Sequence, residues 1–147
     1  MQISTKGRYA LRMMVDLATL EPGVNRSIRE ISERQHLSEK YLEQLVRPLV
    51  KAGYVSSIRG VLGGYFLTKP ADEITVGDVL RTVEGDLAPV RCVSEMDGGG
   101  CDRMVDCATV EVWRRIREAI EGVVDSITLA DLVSENGAMD AVCPEND

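Results

Sequence analysis

Cys92, Cys101 and Cys107 fall within the sixteen residues CVSEMDGGGCDRMVDC, at C-x8-C-x5-C spacing. Thiolates are soft ligands that suit an iron–sulfur cluster, zinc or copper(I), and the Gly98–Gly100 run lets the backbone fold closely around a compact centre. No paired CxxC knuckle is present, so spacing alone leaves zinc and iron–sulfur equally open. The fourth cysteine, Cys143, stands in the polar stretch AVCPEND and reads as a free thiol in preference to a ligand. Four cysteines could also form two disulfides in a secreted chain. No basic leader precedes an apolar run, and ALRMMVDLATL is interrupted by Arg12 and Asp16. The expectation is therefore a cytoplasmic protein without a membrane anchor, whose thiols ligate metal or react.

At 147 residues with 44% apolar composition, the chain fits one domain with an appendage and can bury a core. Its charge is polarised: residues 1–69 carry 11 basic against 6 acidic side chains, net +5, and residues 70–147 carry 6 against 18, net −12. A protein that coats nucleic acid is disfavoured by the overall −7, but a basic half can still present a phosphate-binding face.

That basic half has helix-turn-helix punctuation. From Ser4 to Thr19 the positions Ala10, Leu11, Met13, Met14, Leu17 and Ala18 follow helical spacing until Pro22-Gly23. Ser27 and Glu30 have capping-box spacing for a second helix ending near Arg34, and Ser38 caps a third, SEKYLEQLVRPLVKAG, ended by Gly53 and kinked or tightened at Pro48. On the third helix Leu42, Leu45, Val46 and Leu49 form the packing face, while Lys40, Glu43, Gln44, Arg47 and Lys51 lie opposite. Lys, Gln and Arg can donate to base edges or phosphates in a major groove, and Glu can accept from a cytosine amino group. YVSSIRGVLGGYFLTK then reads as a hairpin, Tyr54–Ile58 and Tyr65–Thr68, joined by a glycine-rich turn. A helix pair followed by a hairpin with Arg59 at its tip is the order of a winged helix, whose wing can place a guanidinium in the minor groove.

The stretches ISTKGRYALRMMVDLA, LSEKYLEQLVRPLVKAGYVSSIRG with GGY, ITVGDVLRTVEG and ITLADLV cover nearly the whole chain. Together they resemble the winged-helix regulators that include the iron–sulfur regulator IscR, the nitric-oxide sensor NsrR and the cysteine-metabolism repressor CymR. The resemblance implies a mainly α fold with a small β-hairpin: a winged helix-turn-helix DNA-binding region over 1–85, a cysteine-containing cluster loop over 86–107, a long dimerisation helix and short final helix over 108–135, and a flexible tail over 136–147. It also implies a cytoplasmic homodimeric transcription factor, usually a repressor, on a palindromic double-stranded operator. By that similarity Lys40, Tyr41, Glu43, Gln44 and Arg47 lie on or beside the recognition surface, and Arg59 is the wing arginine.

The cysteine spacing looks like that of the iron–sulfur members and is absent from CymR-like ones, so the resemblance implies a cluster, [2Fe–2S], on Cys92, Cys101 and Cys107. The chain departs from the pattern at the fourth ligand. The histidine three residues after the third cysteine in IscR-like members is Val110 here, and the position matched to an NsrR-like aspartate ligand is Arg8. Glu111, at i+4 from Cys107 if a helix begins there, is the first substitute, with Asp106, Cys143 or a small exogenous thiol behind it. His36 falls in the helix-turn-helix turn and is assigned a structural or phosphate-contact role.

Beyond Cys107, Trp113, Ile116, Ile120, Val123 and Ile127 are spaced 3, 4, 3 and 4, the seam of a helix packed along another helix. It reads as the dimer helix, with intrachain packing as the alternative, and Thr128 with Asp131 resembles a new cap. Cluster assembly on the strap before this helix would bias the dimer between states that read DNA well and poorly. Rival readings are a cluster-free or zinc-bound regulator controlled by its thiols or by a partner enzyme, as in CymR-like systems, and a small iron–sulfur electron carrier. No nucleotide-binding glycine motif, catalytic histidine set or HExxH supports an enzyme.

Overall fold

In the computed structural model, residues 3–96 and 101–136 are described. Ser4 opens the first helix, α1 (Thr5–Ala18), its hydroxyl accepting the Gly7 amide. Ser27 opens α2 (Ile28–Gln35) with the reciprocal capping box: its hydroxyl accepts the Glu30 amide at 3.2 Å, and the Glu30 carboxylate accepts the Ser27 amide at 2.8 Å. His36 ends α2 in the left-handed region at φ 54°, and Ser38 caps α3 (Glu39–Lys51) by accepting the Tyr41 amide at 3.1 Å. The α3 helix runs through Pro48 and stops before Gly53, whose φ of 85° a side chain would resist.

The hairpin follows as β1 (Val55–Ile58) and β2 (Gly64–Leu67), antiparallel in the register Val55 to Leu67 through Ile58 to Gly64. Arg26, in the α1–α2 connection, pairs with Tyr65 through two backbone hydrogen bonds of 2.7 and 2.9 Å, fastening the wing to the helical core. Thr75 and Asp78 form a second capping box, opening α4 (Val76–Glu84). A 3-10 turn (Ala71–Glu73) precedes α4, and a second (Arg91–Val93), a loop, α5 (Val110–Val124) and α6 (Leu129–Asn136) complete the described chain.

The core is the fully buried set Ala10, Met13, Met14, Ile31, Leu42, Leu45 and Leu49, joined by Val55, Ile74, Val79 and Leu129. Burying each large aliphatic or Met side chain contributes about 1.5–3 kcal/mol, so α1 and the apolar face of α3 are held as one unit. The last helix returns to this unit: Leu129 is fully buried, Leu132 and Val133 pack beside it, and the Leu129 amide donates to the Ile74 carbonyl at 2.9 Å. A smaller cluster of Val76, Leu80 and Leu87 receives Ile120, Val124 and Ile127 from α5 and the segment after it. Six α-helices and a two-stranded hairpin among the described residues give the mainly α winged-helix architecture foreseen from sequence. No helix among them is long and apolar enough to cross a membrane. The tail over 137–147, with Cys143, and Gly98–Gly100 lie outside the described residues.

Candidate nucleic-acid interface and cysteine loop

The buried face of α3 turns its opposite stripe outward: Lys40, Glu43, Gln44, Arg47 and Lys51 are all exposed. Tyr41 is half-buried instead. Its ring meets Tyr9 edge-to-face, centroids 5.9 Å apart at 90°, and burial raises its hydroxyl above the usual phenol range. Tyr41 therefore joins the stripe to α1 and offers the surface less than its neighbours do. Arg59 is exposed immediately after β1, beside Val61 and Leu62, which the turn leaves at 103% and 90% exposure. His36 is exposed at the junction of α2 and α3.

Between α1 and α2 lies a polar hub that sequence reasoning missed. Asp16, fully buried on α1, accepts from Arg26, from Arg34 Nε at 3.2 Å and from the Gln35 side-chain amide at 2.8 Å. Arg12, one helical turn earlier, donates to the Gln35 carbonyl at 2.8 Å and stands 5.3 Å over the Tyr9 ring. The two charged residues that interrupt ALRMMVDLATL, read only as evidence against a membrane span, thus cross-link α1 to α2 and to the base of the wing. Their i, i+4 placement within an otherwise apolar run was the available signal.

Cys92 is half-buried in the 3-10 turn, Cys101 is exposed, and Cys107 is half-buried just ahead of α5. The Cys107 sulfur lies 3.4 Å from the Thr109 hydroxyl, and that hydrogen bond, followed by the Thr109 backbone, lowers the thiol below its ordinary value. Glu111 is exposed in the first turn of α5 with its carboxylate 3.7 Å from Arg114. Among the described residues no three His, Cys, Asp or Glu side chains are gathered as a metal site. The three thiols on one strap fit a thiolate-held centre by donor chemistry; among the described residues no fourth donor is gathered with them.

Of the residues assigned to the helix seam, Ile116 and Val123 are exposed, at 36% and 58%, and Trp113 is half-buried. Ile120 and Ile127 pack within the chain against Val76, Leu80 and Leu87. The 3-4 spacing therefore serves two neighbours, one intrachain and one left open. Two arginine clamps fix α5 to the rest of the chain. Arg81 binds Asp125 through two hydrogen bonds of 2.7 and 2.8 Å, and Arg117 binds the Val93 carbonyl at 2.7 Å and Glu95 at 2.8 Å.

Known proteins resemble the chain in sequence and overall structure. The HTH-type transcriptional regulator CymR of Bacillus subtilis (strain 168) is 46% identical over 91% of this chain and 91% of its own length. The HTH-type transcriptional regulator IscR of Escherichia coli O1:K1 / APEC is 39% identical over 95% of this chain and 85% of its own. Among solved structures, B. subtilis CymR, described as the global cysteine regulator, superposes with a TM-score of 0.78 at 44% identity, covering 92% of this chain and 98% of that one. T. potens IscR gives a TM-score of 0.72 at 41% identity over 92% and 88%. The family model for Rrf2, an iron-dependent transcriptional regulator, matches residues 3–135. With its helix-turn-helix core, its wing and these relatives, the chain belongs to the Rrf2 family of transcriptional regulators.

Proposed function

We propose that the chain works as a homodimeric repressor on a palindromic operator, and that thiol ligation at Cys92, Cys101 and Cys107, by a [2Fe–2S] cluster, sets its affinity for DNA. The observation that carries the DNA reading is α3 itself: Leu42, Leu45 and Leu49 are wholly buried while Lys40, Glu43, Gln44 and Arg47 stand exposed on the other side. Such a helix offers donors and an acceptor to base edges, and an exposed Arg59 on the wing suits the narrow, electronegative minor groove. Two such heads must sit about 34 Å apart to read successive major grooves, so whatever fixes the angle of α5 fixes affinity.

When bound, an iron–sulfur centre supplies a redox- and supply-sensitive set of bonds joining the three thiols. The chain's own part is to hold those thiols. Cys92 sits in a turn whose neighbours Val93 and Ser94 are buried, and Cys107 is poised toward the thiolate two residues before Thr109. Glu111 remains the first candidate for the open ligand position, which would require it to leave Arg114. Support for the cluster comes from the spacing of the thiols, their donor chemistry and the iron-dependent description of the family.

A second reading is favoured by the CymR relative, at 46% identity against 39% for IscR: a cluster-free regulator controlled by its thiols or by a partner enzyme. One experiment separates the two. The protein is purified anaerobically, its absorption spectrum, iron and sulfide are measured, and holo and metal-free forms are compared on a selected operator. Two irons and two sulfides per chain with unequal affinities support the first reading. A colourless protein that still binds operator supports the second, and absence of any duplex binding that weakens with salt would reject both.

A further inference from the structure

Arg117 connects the first cysteine to the helix that bears the exposed seam. Its side chain is 17% exposed and every guanidinium nitrogen has an acceptor: Nη1 donates to the Val93 carbonyl at 2.7 Å, Nη2 meets Glu95 at 2.8 Å, and Nε donates to Glu121 at 3.0 Å. The Val93 carbonyl belongs to the residue that follows Cys92. That segment is also held from the other side, because the Ser94 hydroxyl donates to the Asp86 carboxylate, which accepts the Ala88 amide at 2.9 Å as well. Any rearrangement at Cys92 therefore cannot be absorbed by Ser94 without breaking a bond, and is passed to Arg117. Beside them opens a cavity of about 320 Å³ lined by Cys92, Glu95, Met104, Arg114 and Arg117, which leaves the turn room to move.

Farther along, the Arg81–Asp125 clamp fixes the C-terminal end of α5 to α4. A helix pinned at Asp125 and stayed at Arg117 turns about its pinned end when the stay shifts. We infer that Arg117 is a positioning residue that converts the ligation state of Cys92 into the angle of α5. This rests on the proposed control of operator binding by thiol ligation and names the side chain that transmits it.

Trp113, the chain's single tryptophan, lies one turn before Arg117 and reports on the same end of α5. The test compares wild type and Arg117→Gln, each metal-free and after anaerobic reconstitution with iron and sulfide, by Trp113 emission and by anisotropy of a labelled operator duplex. In wild type the two forms should differ in emission and by about 5- to 150-fold in operator affinity. Arg117→Gln should take up the same iron and sulfide, yet its two forms should agree within about twofold in affinity and share one wavelength of maximum emission, quenching by the cluster aside. A wild-type ratio retained in Arg117→Gln overturns the role of Arg117 alone. Equal affinities of the two wild-type forms overturn cluster control and this inference with it. If Arg117→Gln loses its helical circular dichroism, Glu95→Gln, at a position 81% exposed, takes its place. That variant should give a ratio between those two, and an undiminished ratio overturns the inference.

Discussion

Arg81 and Asp125, separated by 44 residues of chain, form a two-point ion pair that closes directly over Gly77. A Cβ at Gly77 would collide with the Asp125 carboxylate and with Arg81 Nη1 at 2.7 Å. Alanine there should gain about 1 kcal/mol of helix propensity and lose the clamp, so Gly77→Ala is expected to give no net stabilisation. In a double-mutant cycle with Asp125→Ala measured by urea unfolding, the two effects should be non-additive.

The same pair has a pH signature. The Arg81 hydrogen bond holds the Asp125 carboxyl below its ordinary value of 3.8, against a smaller opposing push from burial. A carboxyl depressed in the folded state adds stability above its unfolded pKa, and that stability is lost as pH falls through the folded value. Both side chains are partly exposed, 36% and 44%, so Asp125→Asn should cost no more than about 1 kcal/mol at pH 7. The cost should disappear in strong acid, below the folded-state pKa, when thermal unfolding is followed from pH 7 downward.

Asp16 is the buried anchor of the polar hub; its loss would take the carboxylate from Arg26, which keeps the Asp16 carbonyl at 3.2 Å, and strand the Gln35 side-chain amide. Asp16→Ala should cost about 3 kcal/mol, the low end for a broken buried pair because Arg34 is 41% exposed and can turn to water. The urea midpoint should fall with little change in slope, and operator affinity at fixed folded fraction should weaken as the wing loosens from α1.

Arg47 tests the recognition stripe. Arg47→Ala should weaken operator binding by about 1–3 kcal/mol while leaving thermal stability within about 0.5 kcal/mol. Anisotropy titrations over a salt series distinguish its partner: a phosphate contact lowers the slope of log affinity against log salt by about 1, whereas a base contact leaves the slope and relaxes preference at one base pair.

Val123 and Ile120 separate the two neighbours of α5. Val123→Glu, at a position 58% exposed, should preserve the fold and, if the proposed homodimer forms along α5, raise its dissociation constant by at least about tenfold in sedimentation velocity. Ile120→Glu places a charge against Val76, Leu80 and Leu87 and should lower the thermal midpoint as well.

What could be read from sequence was local. Ser27 with Glu30, Ser38, and Thr128 with Asp131 each cap a helix whose free amides lie three residues on, and these caps appear where the spacing placed them; the cap at Ser4 was not read from sequence. The hairpin was legible from its glycines. Illegible were the pairings that join distant segments: Arg26 with Tyr65, Thr75 with Thr128, Arg81 with Asp125 and Arg117 with Val93. A bridge between two backbones leaves no periodic trace, and an arginine on a solvent-tilted helix face reads as surface until its partner is seen. The 3-4 spacing of Trp113 through Ile127 was visible, but periodicity names the face of a helix and not which neighbour covers it. The cysteine strap was the clearest chemical signal, because C-x8-C-x5-C states donor type and order directly; the departure from the resembled pattern was readable too, as Val110.

The return of α6 to α1 has a consequence for synthesis. Leu129, with Leu132 and Val133, joins the core formed by the side chains of α1 and Ile74, and the Val76 amide is satisfied by the Ile127 carbonyl. A ribosome that has released only the first 120 residues has made the exposed stripe of α3 but not Leu129, Leu132 and Val133, which pack against its scaffold. The scaffold behind α3 is thus completed only by a segment made after Cys92, Cys101 and Cys107, so the three thiols precede the closure of the core in order of synthesis.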